Sequence, residues 1–102
     1  MKVSNAFENF AKEAPQHQAA WMEAVQKLDK ASVLDKKTEA LAYLAVMAVM
    51  RLESGLPFHV KMAKENGATR EEISSSILVG LPTAGNVVIS ALPIALAAFD
   101  EK

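Results

Sequence analysis

From Ala40 to Met50 the only polar side-chain group is the hydroxyl of Tyr43. Leu41, Leu44, Ala45, Ala48, Val49 and Leu52 recur at helical spacing, while Tyr43, Val46, Met47 and Met50 occupy the other faces. A helix that is apolar on every side must be buried all round, either within its own domain or by a partner subunit. A strand over Val46 to Met50 is the competing reading, but the length of the pattern and its many alanines favour a helix. The run falls well short of the ~20 residues that a membrane span needs.

The remainder of the chain reads as further helices joined by short breaks. Ala6, Phe7, Phe10 and Ala11 form a stripe within Val3 to Glu13. Pro15 suits the first turn of a second helix, which carries Trp21, Met22, Val25 and Leu28 on one face; Asp29 to Asp35 then reads as a connection. Asp35 is a plausible N-cap for the apolar helix, and Ser54-Gly55 a plausible break after it. Pro57 restarts a helix that Asn66-Gly67 ends, with Gly67 suited to a left-handed C′ position. Thr69 to Glu72 has the T-x-x-E form of a capping box and opens a helix through Ile73, Ile77, Leu78 and Leu81. Pro82 and Gly85 are expected to interrupt that helix. The last one, Asn86 to Phe99, contains Pro93, which would kink or restart it. The expected fold is all-α, a compact domain of about six helices.

At 102 residues, with no repeat, low-complexity tract or long linker, the chain is expected to form one domain over residues 1–102. So small a domain can hide only part of its apolar mass, and the surplus argues for a homo-oligomer that buries helix faces between subunits. A net charge of −1 with no basic run gives no reason to expect nucleic acid as a partner. Met1 leads into Asn5, Glu8 and Lys12 rather than an apolar core, so a soluble cytoplasmic protein is expected, without membrane contact.

With no cysteine in the sequence, disulfide and thiol chemistry are excluded for this chain alone. No H-x-x-x-H, H-E-x-x-H or G-x-x-x-x-G-K pattern is present, so neither a metal nor a phosphate-bearing cofactor is expected. Ser74-Ser75-Ser76 reads as an exposed helix face, and Met47, Met50 and Met62 read as core filling. His17, among glutamines, reads as a solvated surface residue. His59 lies two residues after Pro57, in the first turn of a helix, where the helix dipole disfavours the imidazolium. A neutral imidazole there can accept a proton near neutral pH. Glu53 and Ser54 lie just upstream and could line a pocket with it. Equally, Ser54 could cap a helix, Glu53 could pair with Arg51, and His59 could bond a backbone carbonyl.

The order of these features resembles the carboxymuconolactone decarboxylase and alkylhydroperoxidase-D-like superfamily. Leu34-Asp35-Lys36-Lys37-Thr38, a long apolar helix, a break, and the H-V-x-x-A-x-x-x-G-A-T-R-E-E-I stretch from His59 to Ile73 carry the resemblance, with Gly85 and Ala91-Leu92-Pro93 in support. The resemblance spans roughly Leu34 to Phe99, leaving residues 1–33 as additional N-terminal helices. It implies an all-helical, alkylhydroperoxidase-D-like fold that assembles as a homotrimer or homohexamer.

The peroxidase-like branch of that superfamily uses a C-x-x-C pair four residues before the histidine, with an upstream glutamate. Carried onto this chain, the cysteines fall at Leu52 and Gly55, and the glutamate falls at Ala40, beside Glu39. One residue is ~100° of helix, so Glu39 is not an automatic substitute. The decarboxylase branch keeps the histidine without the cysteines and acts on a lactone acid. The resemblance therefore implies a cofactor-free lyase or isomerase on a small organic acid. His59 would be its acid/base, Glu53 or Glu39 would assist, and Arg51, Ser54 and Phe58 would contact substrate, with Lys61 a weaker candidate for a carboxylate. Two alternatives stand beside it: a small-ligand-binding or structural oligomer without chemistry, and the partner subunit of a redox system.

Overall fold

A computed structural model describes residues 4–102. The described residues fall into two compact units, residues 4–34 and residues 35–102. Val3, the expected start of the first helix, lies outside the described residues. Among those residues the structure is all helical, with six helices of nine residues or more and one single turn.

In the N-terminal unit, Ser4 caps α1 (Asn5–Glu13) by accepting the Phe7 N–H at 3.3 Å. Ala14 joins it to α2 (Pro15–Ala31), with Pro15 in the first turn, where a missing N–H costs nothing. α2 runs on through Asp29–Ala31, which had been expected to be a connection. Neither glycine nor proline stops it, and it ends only where Ser32 turns extended. Phe7 and Phe10 meet edge to face, with centroids 6.1 Å apart. Neither helix has a buried residue within the chain, and Trp21 is 55% exposed.

In the second unit Asp35 caps α3 (Lys36–Met50), accepting the Thr38 N–H at 2.8 Å and its hydroxyl at 2.9 Å. α3 stops earlier than the Ser54-Gly55 break suggests. Arg51 adopts the left-handed conformation (φ 61°), and the Leu52 N–H donates to the Met47 carbonyl, closing the helix end. A 3-10 turn over Glu53–Gly55 then leads into α4 (Leu56–Glu65), with Pro57 in its first turn. Gly67 takes a φ of 96°, as its left-handed role requires. Thr69 and Glu72 form the expected capping box: the Glu72 N–H donates to Thr69 Oγ1 and the Thr69 N–H to Glu72 Oε1. α5 (Arg70–Leu78) ends before Leu81. Pro82 does not break it but opens the single turn α6 (Leu81–Ala84). A 3-10 turn over Gly85–Val88 precedes α7 (Ala91–Asp100), which starts later than Asn86 and holds Pro93 harmlessly in its first turn.

α3, α4, α5 and α7 pack on one another around Leu44, Leu56, Val60, Ile73 and Ile77, none of which has solvent exposure. Ala48, Ala63, Ala91 and Ala95 lie in the same core, and their short side chains let the helices approach closely. Ser76 donates to the Leu41 carbonyl and ties α5 to α3, so only Ser75 of the serine run is exposed. Arg70 grips Asp100 through two hydrogen bonds of 2.9 and 3.0 Å, and Lys64 donates to the Phe99 carbonyl at 2.6 Å.

Within the single chain, α3 is not buried all round. It buries Ala40, Leu44 and Ala48, whereas Val46 and Met50 remain 60% and 62% exposed. α4 and α5 cover one side only, because a unit this small has no further helix to lay over the other.

Gly85 combines a φ of 74° with a ψ of −157°, a region essentially closed to residues with a Cβ. A Cβ there would meet no heavy atom within 4 Å, so the penalty of Gly85→Ala is purely conformational. The variant is expected to lose about 1–3 kcal/mol in urea unfolding. Wild-type stability would show that the turn relaxes to another backbone geometry.

Candidate functional site

His59 is the fourth residue of α4, one turn in from the Pro57 start. It is half-buried, and the main agents visible around its ring are aromatic. The Tyr43 ring of α3 stands against it at 83° with centroids 5.8 Å apart, and the Phe58 ring at 67° and 5.3 Å. Both are edge-to-face arrangements, in which the positive edge of one ring meets the negative face of the other. Among the described residues no hydrogen bond to the imidazole nitrogens is present; aromatic contacts take the place of the backbone-carbonyl bond that the sequence left open. Burial pushes the His59 pKa below its ordinary value, which favours the neutral ring.

Glu53 belongs to a different cluster. Its Oε2 accepts from the Ser90 hydroxyl at 2.7 Å and from Arg51 Nε at 3.3 Å. The Ser90 bond, and then the Arg51 charge, hold this carboxyl below its ordinary pKa despite some desolvation. Glu53 is therefore a firm carboxylate and a poor proton donor. It ties the turn before α4 to the residue before α7. Arg51 is exposed and engaged with it, and Ser54 is exposed in the same turn.

Glu39 lies half-buried in the first turn of α3, four residues before Tyr43 and so on the same helix face. Lys61 is 200° around α4 from His59 at 100° per residue. Its Nζ reaches the Glu101 carbonyl at 3.3 Å, so its cation serves the end of the chain. The structure thus groups His59 with Phe58 and with the α3 face of Glu39, and groups Glu53 with Arg51. Among the described residues no hydrogen bond or ion pair joins His59 to either glutamate.

Tyr43 and Ser90 are the residues that sequence reasoning missed. Tyr43 had one signal, a polar-tipped ring in an otherwise apolar run. Ser90 had none, because its partner lies 37 positions away. His17 is exposed on α2, beside Phe10 and Trp21 in a shallow concavity of the N-terminal hairpin. Among the described residues no three His, Cys, Asp or Glu side chains gather as metal ligands would, and no helix is long and apolar enough to cross a membrane.

The two positions onto which the cysteines of the peroxidase-like pattern would fall lie at the two ends of a tight turn. Leu52 is exposed, and the Gly55 N–H donates to its carbonyl at 3.3 Å across a tight turn. Such a turn brings its end Cα atoms within about 7 Å, near disulfide range. A Cβ on Gly55 would lie 2.9 Å from Met47 Cε, the movable tip of a flexible side chain. The Leu52→Cys/Gly55→Cys variant is expected to lose both free thiols on mild oxidation as a monomeric product, read by thiol titration and intact mass. Two persistent thiols would show that the turn cannot close the bond.

The family model described as carboxymuconolactone decarboxylase family matches residues 15–97, most of the chain. The match begins well before Leu34, so it takes in α2 as well as the motif-bearing helices. No curated protein and no solved structure matches the chain.

Proposed function

The chain belongs to the carboxymuconolactone decarboxylase family, and on that premise we propose that it is a cofactor-free lyase or isomerase in which His59 moves a proton on a small organic acid. The observation that carries this reading is the half-buried imidazole, flanked by Tyr43 and Phe58, whose neutral form burial favours. Loss of CO₂ leaves the electron pair of the broken bond on the adjoining carbon. The neutral ring takes a proton from the acid or from solvent, and the imidazolium so formed gives it to that carbon and returns to neutral. In an isomerase the same ring removes a proton from one carbon and returns it to another.

Glu39, on the α3 face that carries Tyr43, would be the assisting carboxylate. Glu53, held ionised by Ser90 and Arg51, braces the turn instead of donating protons. A substrate carboxylate would compete with Glu53 for Arg51, beside Ser54. The exposed apolar side of α3 supports self-association in which a neighbouring copy would cover Val46 and Met50, with the homotrimer or homohexamer resting on the family resemblance alone and the cytoplasmic location on the sequence alone.

The test is proton exchange and CO₂ release, followed by NMR in D₂O, over a panel of lactone and unsaturated acids with wild type and His59→Gln. Turnover that needs His59 is expected. No turnover of any acid by the wild type, or equal turnover by both proteins, would remove the enzymatic reading. A non-catalytic ligand-binding role would then be favoured by the aromatic flanks of His59.

A further inference from the structure

We propose that Tyr43 is a positioning residue for His59: its ring, set almost perpendicular to the imidazole from a different helix, fixes where the ring nitrogens face and shelters them from water. The inference rests on the reading of His59 as the proton carrier.

Active-site histidines are commonly oriented by a hydrogen bond to the second ring nitrogen. Among the described residues none is present at His59, and two aromatic rings stand edge-to-face against it instead. Phe58 is its neighbour in the chain and moves with α4. Tyr43 is the aromatic contact that joins the ring to α3, the helix that also carries Glu39.

Tyr43 is 44% exposed, so it is not a core residue whose removal would empty the interior. The buried stripe of α3, Ala40, Leu44 and Ala48, runs along the flank of the Tyr43 face. A large ring left half in water next to a half-buried histidine has more to do for that histidine than for the fold. Charged groups on the elements around it include Glu39 and Lys37 on α3, Glu53 and Arg51 before α4, and Lys61 and Lys64 on α4. Burial is what lowers the pKa of the imidazole. Whatever provides the burial therefore controls the proton.

The experiment follows the His59 Cε1–H signal by NMR against pH in wild type, Tyr43→Phe, Tyr43→Ala and Tyr43→Leu, with His59→Gln to assign the signal and circular dichroism to report helix content. Phenylalanine keeps the ring and is expected to keep the wild-type midpoint. Alanine uncovers the imidazole and is expected to raise the midpoint towards the ordinary value of about 6.5. Leucine, which has bulk without a ring edge, is expected to fall between them, and it stands in for alanine if that variant does not fold. A wild-type midpoint in Tyr43→Ala with intact helices, or in Tyr43→Leu, would overturn the proposal. A shift in Tyr43→Phe as large as in Tyr43→Ala would overturn it too, by assigning the effect to the hydroxyl. The titration needs no substrate, so its failure is separate from a failure of the catalytic reading, which only the turnover assay can sink.

Discussion

Truncating Leu44 to alanine is expected to destabilise the helical body at residues 35–102 by about 2–5 kcal/mol, towards the upper part of that range. Leu44 has no solvent exposure, at the centre of α3 where α4 and α5 pack on it. The cost of such a truncation depends on how far the neighbours can collapse into the space left behind. Here many of the neighbours are themselves alanines: Ala40, Ala48, Ala63, Ala91 and Ala95 share the core and have no longer side chain to extend into a void. Small domains have only about 5–15 kcal/mol in total, and about 1 kcal/mol moves the melting temperature of a domain this size by roughly 4–8 °C. A fall of roughly 10 °C or more in thermal unfolding is therefore expected for Leu44→Ala.

Val46→Ala on the exposed face is the matching control. In an isolated chain it is expected to stay within about 0.5 kcal/mol of wild type, as surface substitutions usually do. If Val46→Ala instead costs as much as Leu44→Ala, the exposed side of α3 is buried in solution, and the cost will depend on protein concentration. The pair of variants thus measures both the core and the expected assembly.

What could be read from the sequence was whatever depends on neighbouring residues. The Asp35 cap, the Gly67 terminus and the Thr69–Glu72 capping box each place donor and acceptor within a few positions, and each formed as expected. The end of α3 could not be read, because an arginine occupies the left-handed position where glycine or asparagine would have announced a stop. Nor could the buried side of α3 be chosen. Periodicity identifies a face only when polar residues mark the opposite one, and from Ala40 to Met50 almost none do. At the candidate site the histidine was visible through proline, helix start and family resemblance together. Its surroundings were not: Tyr43 reaches it from another helix, and Glu53 is claimed by Ser90, a tertiary contact with no local signature. The family match at α2 was missed for a similar reason, since the N-terminal hairpin offers amphipathic spacing but no distinctive motif.

Replacing His59 with glutamine is expected to lower turnover by about 10²–10⁴-fold, the usual contribution of a positioned acid or base. Glutamine keeps a polar side chain of reach similar to the imidazole but cannot exchange a proton near neutrality. The wild-type pH profile carries the second half of the prediction. Burial lowers the His59 pKa in the folded protein, so the neutral form should persist to more acidic pH than for an ordinary histidine. The rate that depends on neutral His59 should be present above its folded pKa and fall as pH drops through it. Stability moves in the same direction. Between the folded value and the unfolded value of about 6.5, the unfolded chain binds more protons than the folded one, so stability rises with pH across that window. The contribution is fully present above about 6.5, is lost progressively as pH falls through the window, and changes no further below the folded pKa. Asp35, Glu53, Glu72 and Asp100 also have lowered values, but their stabilising effect is lost in a separate, more acidic range, below the ordinary carboxylate values. Urea midpoints for wild type and His59→Gln, measured from pH 8 to pH 5, should therefore diverge only below about 6.5, with the wild type losing more. Parallel curves would mean that the imidazole is as well solvated when folded as when unfolded, and the case for a sheltered proton carrier between Tyr43 and Phe58 would fall with it.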